Sequence, residues 1–434
     1  MLKSPAYKIF FKYTIPTIIG FLSISSASVI DGYFIGNYTG SIGLAAVNIS
    51  YPIMTVLFGL TFTFAVGSSV MVGALMGQGQ KKEASNVFTK SVISASLIST
   101  VLCIFLLGVV GTILNLLDVS GELKEKTLVY LSVLLHFFPF FMTGFVMNYF
   151  VRVDQHPNLS SFALLMSSIV NIGFDYLFIV KLNYGIRGAA YATGLCYMSI
   201  FCLMLPNFLR KKSSFGFVKP QGSWICVINA AKNGVSEFVN ESSIGVTILI
   251  FNFIMLKNFG HSGVASYTII GYFIMASSMI SFAVSDGLQP VISTNFGASN
   301  YRRIKKFLKL GFISILCIEI SLTLVVVVFP DSIINIFLNK SEFQTKKISV
   351  EFISYTWPAF VFAGLNILIT SYLTSIQKPF YSFITAILRS LLLPVLFIII
   401  LPFIFGNSGI FAAISVSEFI TFLIAANIFM KNIR

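Results

Sequence analysis

Charge is scarce in this sequence: Asp, Glu, Lys and Arg make up 10% of its 434 residues, where a soluble domain carries roughly 25%. With 56% apolar residues and a mean hydropathy of +0.90, the apolar surplus exceeds what a water-soluble core of this length could hide. That excludes the two or three soluble domains the length alone would allow. Lipid is the expected solvent for most side chains. Histidine is nearly missing, and His136, His156 and His261 are scattered. No HExxH, GxSxG or metal-spaced His/Cys set occurs, so the chain is not expected to be an enzyme or to carry a cofactor. The five cysteines (Cys103, Cys196, Cys202, Cys226, Cys317) stand singly without a CxxC and read as buried thiols. The first apolar run, in MLKSPAYKIFFKYTIP, lacks a small-residue cleavage site after it and is expected to stay as a helix. The net charge of +14 does not imply nucleic acid, because the basic residues lie in short clusters between apolar runs.

A hydrocarbon core needs about 20 apolar residues in helical form. Runs between charge and turn clusters predict twelve spans: 14–36, 46–76, 88–116, 128–151, 159–180, 188–209, 234–256, 263–296, 307–330, 348–375, 380–403 and 409–430. An even number puts both ends on one side. Basic residues in the loops and ends of that side number about 20, against 8 on the other. The first set includes Arg210, Lys211, Lys212 and Arg434; the second includes Lys340. Both termini are therefore expected to be cytoplasmic.

The sequence also repeats itself. FTFAVGSSVMVGALMGQGQKKEA (62–84) lies over FAVSDGLQPVISTNFGASNYRRI (282–304) at a shift of 220, which also pairs Gly40 with Gly260 and Gly77 with Gly297. Gln155 and Pro157 match Gln377 and Pro379 at a shift of 222. The expected fold is all-α and polytopic: two pseudo-symmetric six-helix bundles, 1–209 and 234–434, joined by a basic cytoplasmic linker at 210–233. Halves of even parity keep one orientation and leave a cleft in which a ligand can sit near the midplane. GQGQKKEA lacks the GKS or GKT of a phosphate loop and reads as a helix stop followed by positive-inside anchoring.

Ionisable groups inside spanning helices are functional hypotheses by default. Asp31 and Asp175 each lie about 16 residues, or roughly 24 Å, from the cytoplasmic start of their helices. Two carboxylates are thus expected at one level in the first bundle. Asn171 is one turn before Asp175 on the same face, and Thr193 enters at similar depth on the next helix. Together they form an all-oxygen constellation that can hold a hard monovalent cation or share a proton between acids. At the repeat positions of Asp31 and Asp175 stand Phe251 and Phe397, so this cluster belongs to the first half alone. In the second half Glu241, Gln289 and Arg389 are cleft candidates: Glu241 could attract a cationic ligand, and Arg389 could pair with a carboxylate or snorkel. Asp286, Glu319 and Glu418 are further intramembrane acids without an assigned role. The 46 Phe and 17 Tyr would suit flat organic cations in a cleft, although lipid contact and helix packing account for most aromatic residues in such a chain.

At these residues the sequence resembles the multidrug and toxic compound extrusion (MATE) family across nearly its whole length. VIDGYFIG around Asp31 is similar to the family's first-helix acidic motif. NIGFDYLFI resembles its fifth-helix Asn-xxx-Asp pattern, GIRGAAYAT the following turn and helix start, and GLQPVISTNFGA its eighth-helix signature. The resemblance implies two six-helix lobes arranged as a V, with antiport of drug-like solutes against H+ or Na+. It further implies a bacterial cytoplasmic (inner) membrane location, lipid around the protein, and a monomer. Asp31, Asn171, Asp175 and Thr193 match the cation or proton site of the DinF-like bacterial and archaeal members. TWPAFVFAGLNILITSYL lacks the tenth-helix acid of the family's other large bacterial branch, which favours coupling in the first half. The alternative is a lipid-linked oligosaccharide or precursor flippase, which would present basic residues centrally, where Arg389 is the main intramembrane example.

Overall fold

The computed structural model describes residues 1–209, 213–335, 337 and 342–433. Arg210, Lys211, Lys212, Lys340 and Arg434, counted in the charge asymmetry, and the first residues of the expected linker lie outside the described residues. Lipid offers backbone N–H and C=O groups no partners, so a chain of this composition must satisfy them internally. Among the described residues there are helices and no strands: α1 Ala6–Gly77, α2 Lys81–Leu116, α3 Gly121–Val153, α4 Pro157–Asp175, α5 Gly185–Leu209, α6 Ile225–Gly297, α7 Tyr301–Val328, α8 Pro330–Ile334, α9 Phe343–Ser375, α10 Pro379–Ile387, α11 Leu393–Phe405 and α12 Asn407–Asn432. Wide π-type turns at Tyr176–Lys181 and Leu388–Leu392 extend α4 and join α10 to α11.

Ten of the resulting helices are long and apolar enough to cross a membrane. Two of them, α1 and α6, are each broken at a single glycine, Gly40 (φ 76°) and Gly260 (φ 63°), which gives twelve spans. Positive φ is cheap only for glycine, and these two glycines are one of the pairs that the repeat matches. The repeat reaches its second anchor too: Gln155 and Gln377 both take positive φ, at 68° and 57°. Eleven of the twelve expected spans fall inside observed ones. The ninth overruns, because α7 stops at Val328 and Pro330 opens the short α8, as a ring that cannot donate to the preceding turn requires.

The burial pattern is that of helices in lipid. On α2 the apolar residues Leu97, Val101, Ile104 and Phe105 are exposed, while Ala95, Ser99 and Cys103 are buried. The chain is a multi-pass membrane protein. It divides into two compact units: Met1–Ser4, Phe11–Gly234 and Ser293–Ser299 form one, and Pro5–Phe10, Val235–Ile292 and Asn300–Arg434 the other.

In the first unit α3 and α5 approach closely at Gly144, where an added Cβ would stand 2.6 Å from the Phe201 backbone nitrogen; small residues at crossings are how membrane helices gain packing. The second unit has a core around Phe251, Tyr267, Phe352 and Phe411.

The expected linker is helical from Ile225 onward, since its apolar residues continue the period of the helix that follows. Its preceding residues are strapped to the first unit. Lys90, only 1% exposed, donates to the carbonyls of Gln221, Gly222 and Ser223. Asp154 accepts from Ser213 Oγ at 2.8 Å and Ser214 N at 2.7 Å. The Phe88 ring meets those of Phe150, Phe208, Phe215 and Phe217. Lys90 is thus a buried clamp and not a headgroup anchor.

Candidate functional site

Four elements of the first unit converge. The limb of α1 before Gly40 carries Asp31, the last turn of α4 carries Asn171 and Asp175, α5 carries Thr193 and α3 carries Tyr130. Asp175 is fully buried and Asn171 nearly so, while Asp31 and Thr193 are half-buried. Asp31 and Asp175 lie within hydrogen-bonding reach of each other. Tyr130 stands beside Thr193 and in the field of both carboxylates. Beyond them Cys196 reaches Ser167, and Tyr197 closes the cluster beside Tyr130 and Cys196.

What the two carboxylates lack is a bonded partner for their buried oxygens. An ionised carboxylate only accepts hydrogen bonds, and here two of them face each other. Asp31 Oδ1 and both oxygens of Asp175 accept none from any described group, and Asn171 Nδ2 donates none. Leaving a buried polar atom unbonded costs about 1–3 kcal/mol, more for a charged group. Either a proton shared between the acids or a hard cation held by oxygens removes that cost, and the residues fit both. No group of three or more His, Cys, Asp or Glu with metal-holding geometry occurs among the described residues.

The second unit treats its acids differently. Arg389, in the wide turn Leu388–Leu392, donates from Nε to Glu418 Oε1 at 3.1 Å, and Asn366 donates to Glu418 Oε2 at 2.7 Å. Ser277 and Ser281 each donate to one oxygen of Glu319. Glu319 and Glu418 are therefore satisfied at both oxygens. Glu237 reaches Asn240 and stands in the fields of Asp286, Glu241 and Arg389. Gln289 is buried with its carbonyl oxygen unbonded. No described hydrogen bond or ion pair joins Glu241, Gln289 and Arg389 to one another. Arg389 pairs with a carboxylate and does not snorkel.

Tyr130 and Glu237 were missed from the sequence. Tyr130 stands near the start of an expected span, where tyrosine is ordinary. Glu237 lay three residues inside an expected span at 234 but is twelve residues into α6, which starts at Ile225. The signal that could have found Glu237 was the apolar period upstream of 234.

The MatE family model matches residues 16–177 and 240–400. The chain is 27% identical over 421 residues to the multidrug export protein MepA of Staphylococcus haemolyticus, covering 96% of this chain and 91% of that one. It is 24% identical over 421 residues to MepA of Staphylococcus aureus, covering 96% and 92%. Among solved structures, a MOP superfamily transporter from Pyrococcus furiosus superposes with a TM-score of 0.92 at 20% identity, over 100% of this chain and 97% of that one. An outward-facing multidrug resistance MATE family transporter gives 0.92 at 20% identity, over 99% and 96%.

Proposed function

The chain belongs to the MatE family, and from that premise we propose that this membrane transporter exports small organic cations by antiport with H+ or Na+ through alternating access. Export of drugs is what the names of its staphylococcal relatives state, and their similarity runs along nearly the whole chain. A transporter needs no bond-making residues, and the chain is not an enzyme. The coupling ion binds at Asp31 and Asp175, with Asn171 and Thr193 completing the oxygen set, as in the DinF-like branch. The observation that carries this reading is the set of buried carboxylate oxygens without a donor. An antiporter requires a group whose occupancy changes during the cycle, and these two acids have hydrogen bonding that is incomplete in the ionised form.

Coupling needs differential affinity: ion binding must favour the conformation in which the exported solute binds less well. Coupling free energies of this kind are typically about 1–3 kcal/mol. The charge asymmetry of the loops supports a cytoplasmic-membrane location with both ends inside, and a monomer suffices because the site draws on one chain. The pairing of Arg389 with Glu418 supports the exporter over the flippase, since that guanidinium is committed to a carboxylate and not offered to a pyrophosphate.

The test is purified protein in liposomes, loaded with a fluorescent organic cation and given an imposed pH or sodium gradient. Gradient-driven movement is expected in the unaltered chain and not in Asp31→Asn or Asp175→Asn at equal insertion. Movement of a lipid-linked pyrophosphate instead of the dye would select the flippase.

A further inference from the structure

Beyond the transport cycle, we infer that the end of the last helix holds an anionic phospholipid in a groove against the start of α10. The groove has a volume of about 360 Å³ and is lined on α12 by Leu423, Ile424, Asn427, Ile428, Lys431 and Asn432, and on α10 by Tyr381. The α12 residues follow one another at helical spacing, so they form one face. Their order along it is graded. Leu423 and Ile424 lie deepest, and Lys431 lies eight residues nearer the chain end, about 12 Å along the axis at 1.5 Å per residue. The 26 residues of α12 make about 39 Å of helix, more than the roughly 30 Å hydrocarbon core. Its last turns therefore stand at headgroup depth while Leu423 and Ile424 stay among acyl chains.

Three of the polar groups at the upper end are unengaged by the protein, while the Asn432 amide donates to the Ile428 carbonyl at 2.8 Å. Among the described residues, the Tyr381 hydroxyl, the Asn427 amide and the Lys431 ammonium have no side-chain hydrogen bond or ion pair, and no acidic residue lines the groove. The same helix end is fastened to α9 and α7. Tyr372 donates to the Asn432 carbonyl at 3.2 Å, and the Phe429 ring packs against Phe312 and Tyr372. That packing holds the Lys431 face outward. An uncompensated ammonium with two further polar groups matches a negatively charged headgroup. The apolar strip directly below, with Leu423 53% and Ile424 37% exposed, matches an acyl chain of the same molecule. A free phosphate would use only the upper half of this surface. Basic pockets of this kind between membrane helices are a recognised route to headgroup selectivity. In the orientation proposed above the lipid belongs to the cytoplasmic leaflet. The groove itself depends neither on that orientation nor on the coupling ion.

The full-length protein, purified in detergent, is titrated with phosphatidylglycerol and with phosphatidylcholine of identical chains, and bound lipid is counted by native mass spectrometry. Phosphatidylglycerol should bind about fivefold more tightly, the effect of one basic residue at an anionic surface. Lys431→Gln should abolish that preference, and Asn427→Glu should invert it, so either variant serves if the other is not recovered. Lys347→Gln, a basic residue outside the groove, should leave it intact, and soluble glycerol phosphate should not displace the lipid. Equal affinity for the two lipids, a preference that survives both groove substitutions, or displacement by glycerol phosphate would overturn the assignment.

Discussion

The two halves of this chain place opposite chemistry at matched positions. The repeat aligns Asp31 with Phe251, Tyr130 with Phe352, Asp175 with Phe397 and Thr193 with Ser415. In the first half these residues form a polar cluster in which three carboxylate oxygens accept no hydrogen bond. In the second, Phe251 stacks on Tyr267 at 5.1 Å, Tyr267 on Phe352 at 6.2 Å, and Phe397 packs against the same buried core. Ser415 spends its hydroxyl on the Tyr355 carbonyl. One backbone plan thus carries a polar cluster, the proposed ion site, in one half and an aromatic core in the other. The second half keeps acids elsewhere, but Glu319 and Glu418 are fully bonded. A buried charge that is satisfied has little reason to change occupancy; one that lacks donors has a strong one.

Substitutions can break this contrast. The largest effect is expected at Asp175→Asn, which removes one acid from the pair: gradient-driven efflux should fall to background while membrane insertion, read by blotting and gel filtration, is unchanged. Next comes Arg389→Met, which strands Glu418 without its cation. Breaking a buried pair costs about 3–5 kcal/mol, so the thermal midpoint in detergent should drop markedly, and adding Glu418→Leu should recover most of it. Phe251→Ala should destabilise by about 3 kcal/mol through the cavity it opens in the aromatic core, with no change in which ion drives transport. The smallest effect is expected at Tyr130→Phe. Loss of a polar hydroxyl beside Thr193 and both carboxylates is worth about 1 kcal/mol, seen as a roughly fivefold weaker apparent affinity for the coupling ion at unchanged thermal stability.

Much of this was legible before any coordinates. Ionisable side chains are so costly in lipid that Asp31 and Asp175 stand out, and counting residues along two helices placed them level. The repeat paired Gly40 with Gly260 but did not announce that each breaks a long helix. The rest was hidden because a sequence gives depth along a helix but not which neighbour a side chain turns toward. Arg389 and Glu418 lie 29 residues apart on different helices, and nothing in their spacing announces a pair. Lys90 reads as one more basic residue at the inner surface until its three carbonyl partners fold over it. Tyr130 carries no charge to draw attention, and its role depends wholly on what surrounds its hydroxyl.

The central claim is that the first-half acids give up their cation when solute binds. It is tested by adding a high-affinity organic cation to purified protein in weakly buffered detergent, while following proton release with a pH dye and sodium release with a sodium electrode. The account predicts stoichiometric release of one of these ions from the unaltered chain and from Glu319→Gln, and none from Asp31→Asn/Asp175→Asn. Full release from that double variant would contradict it.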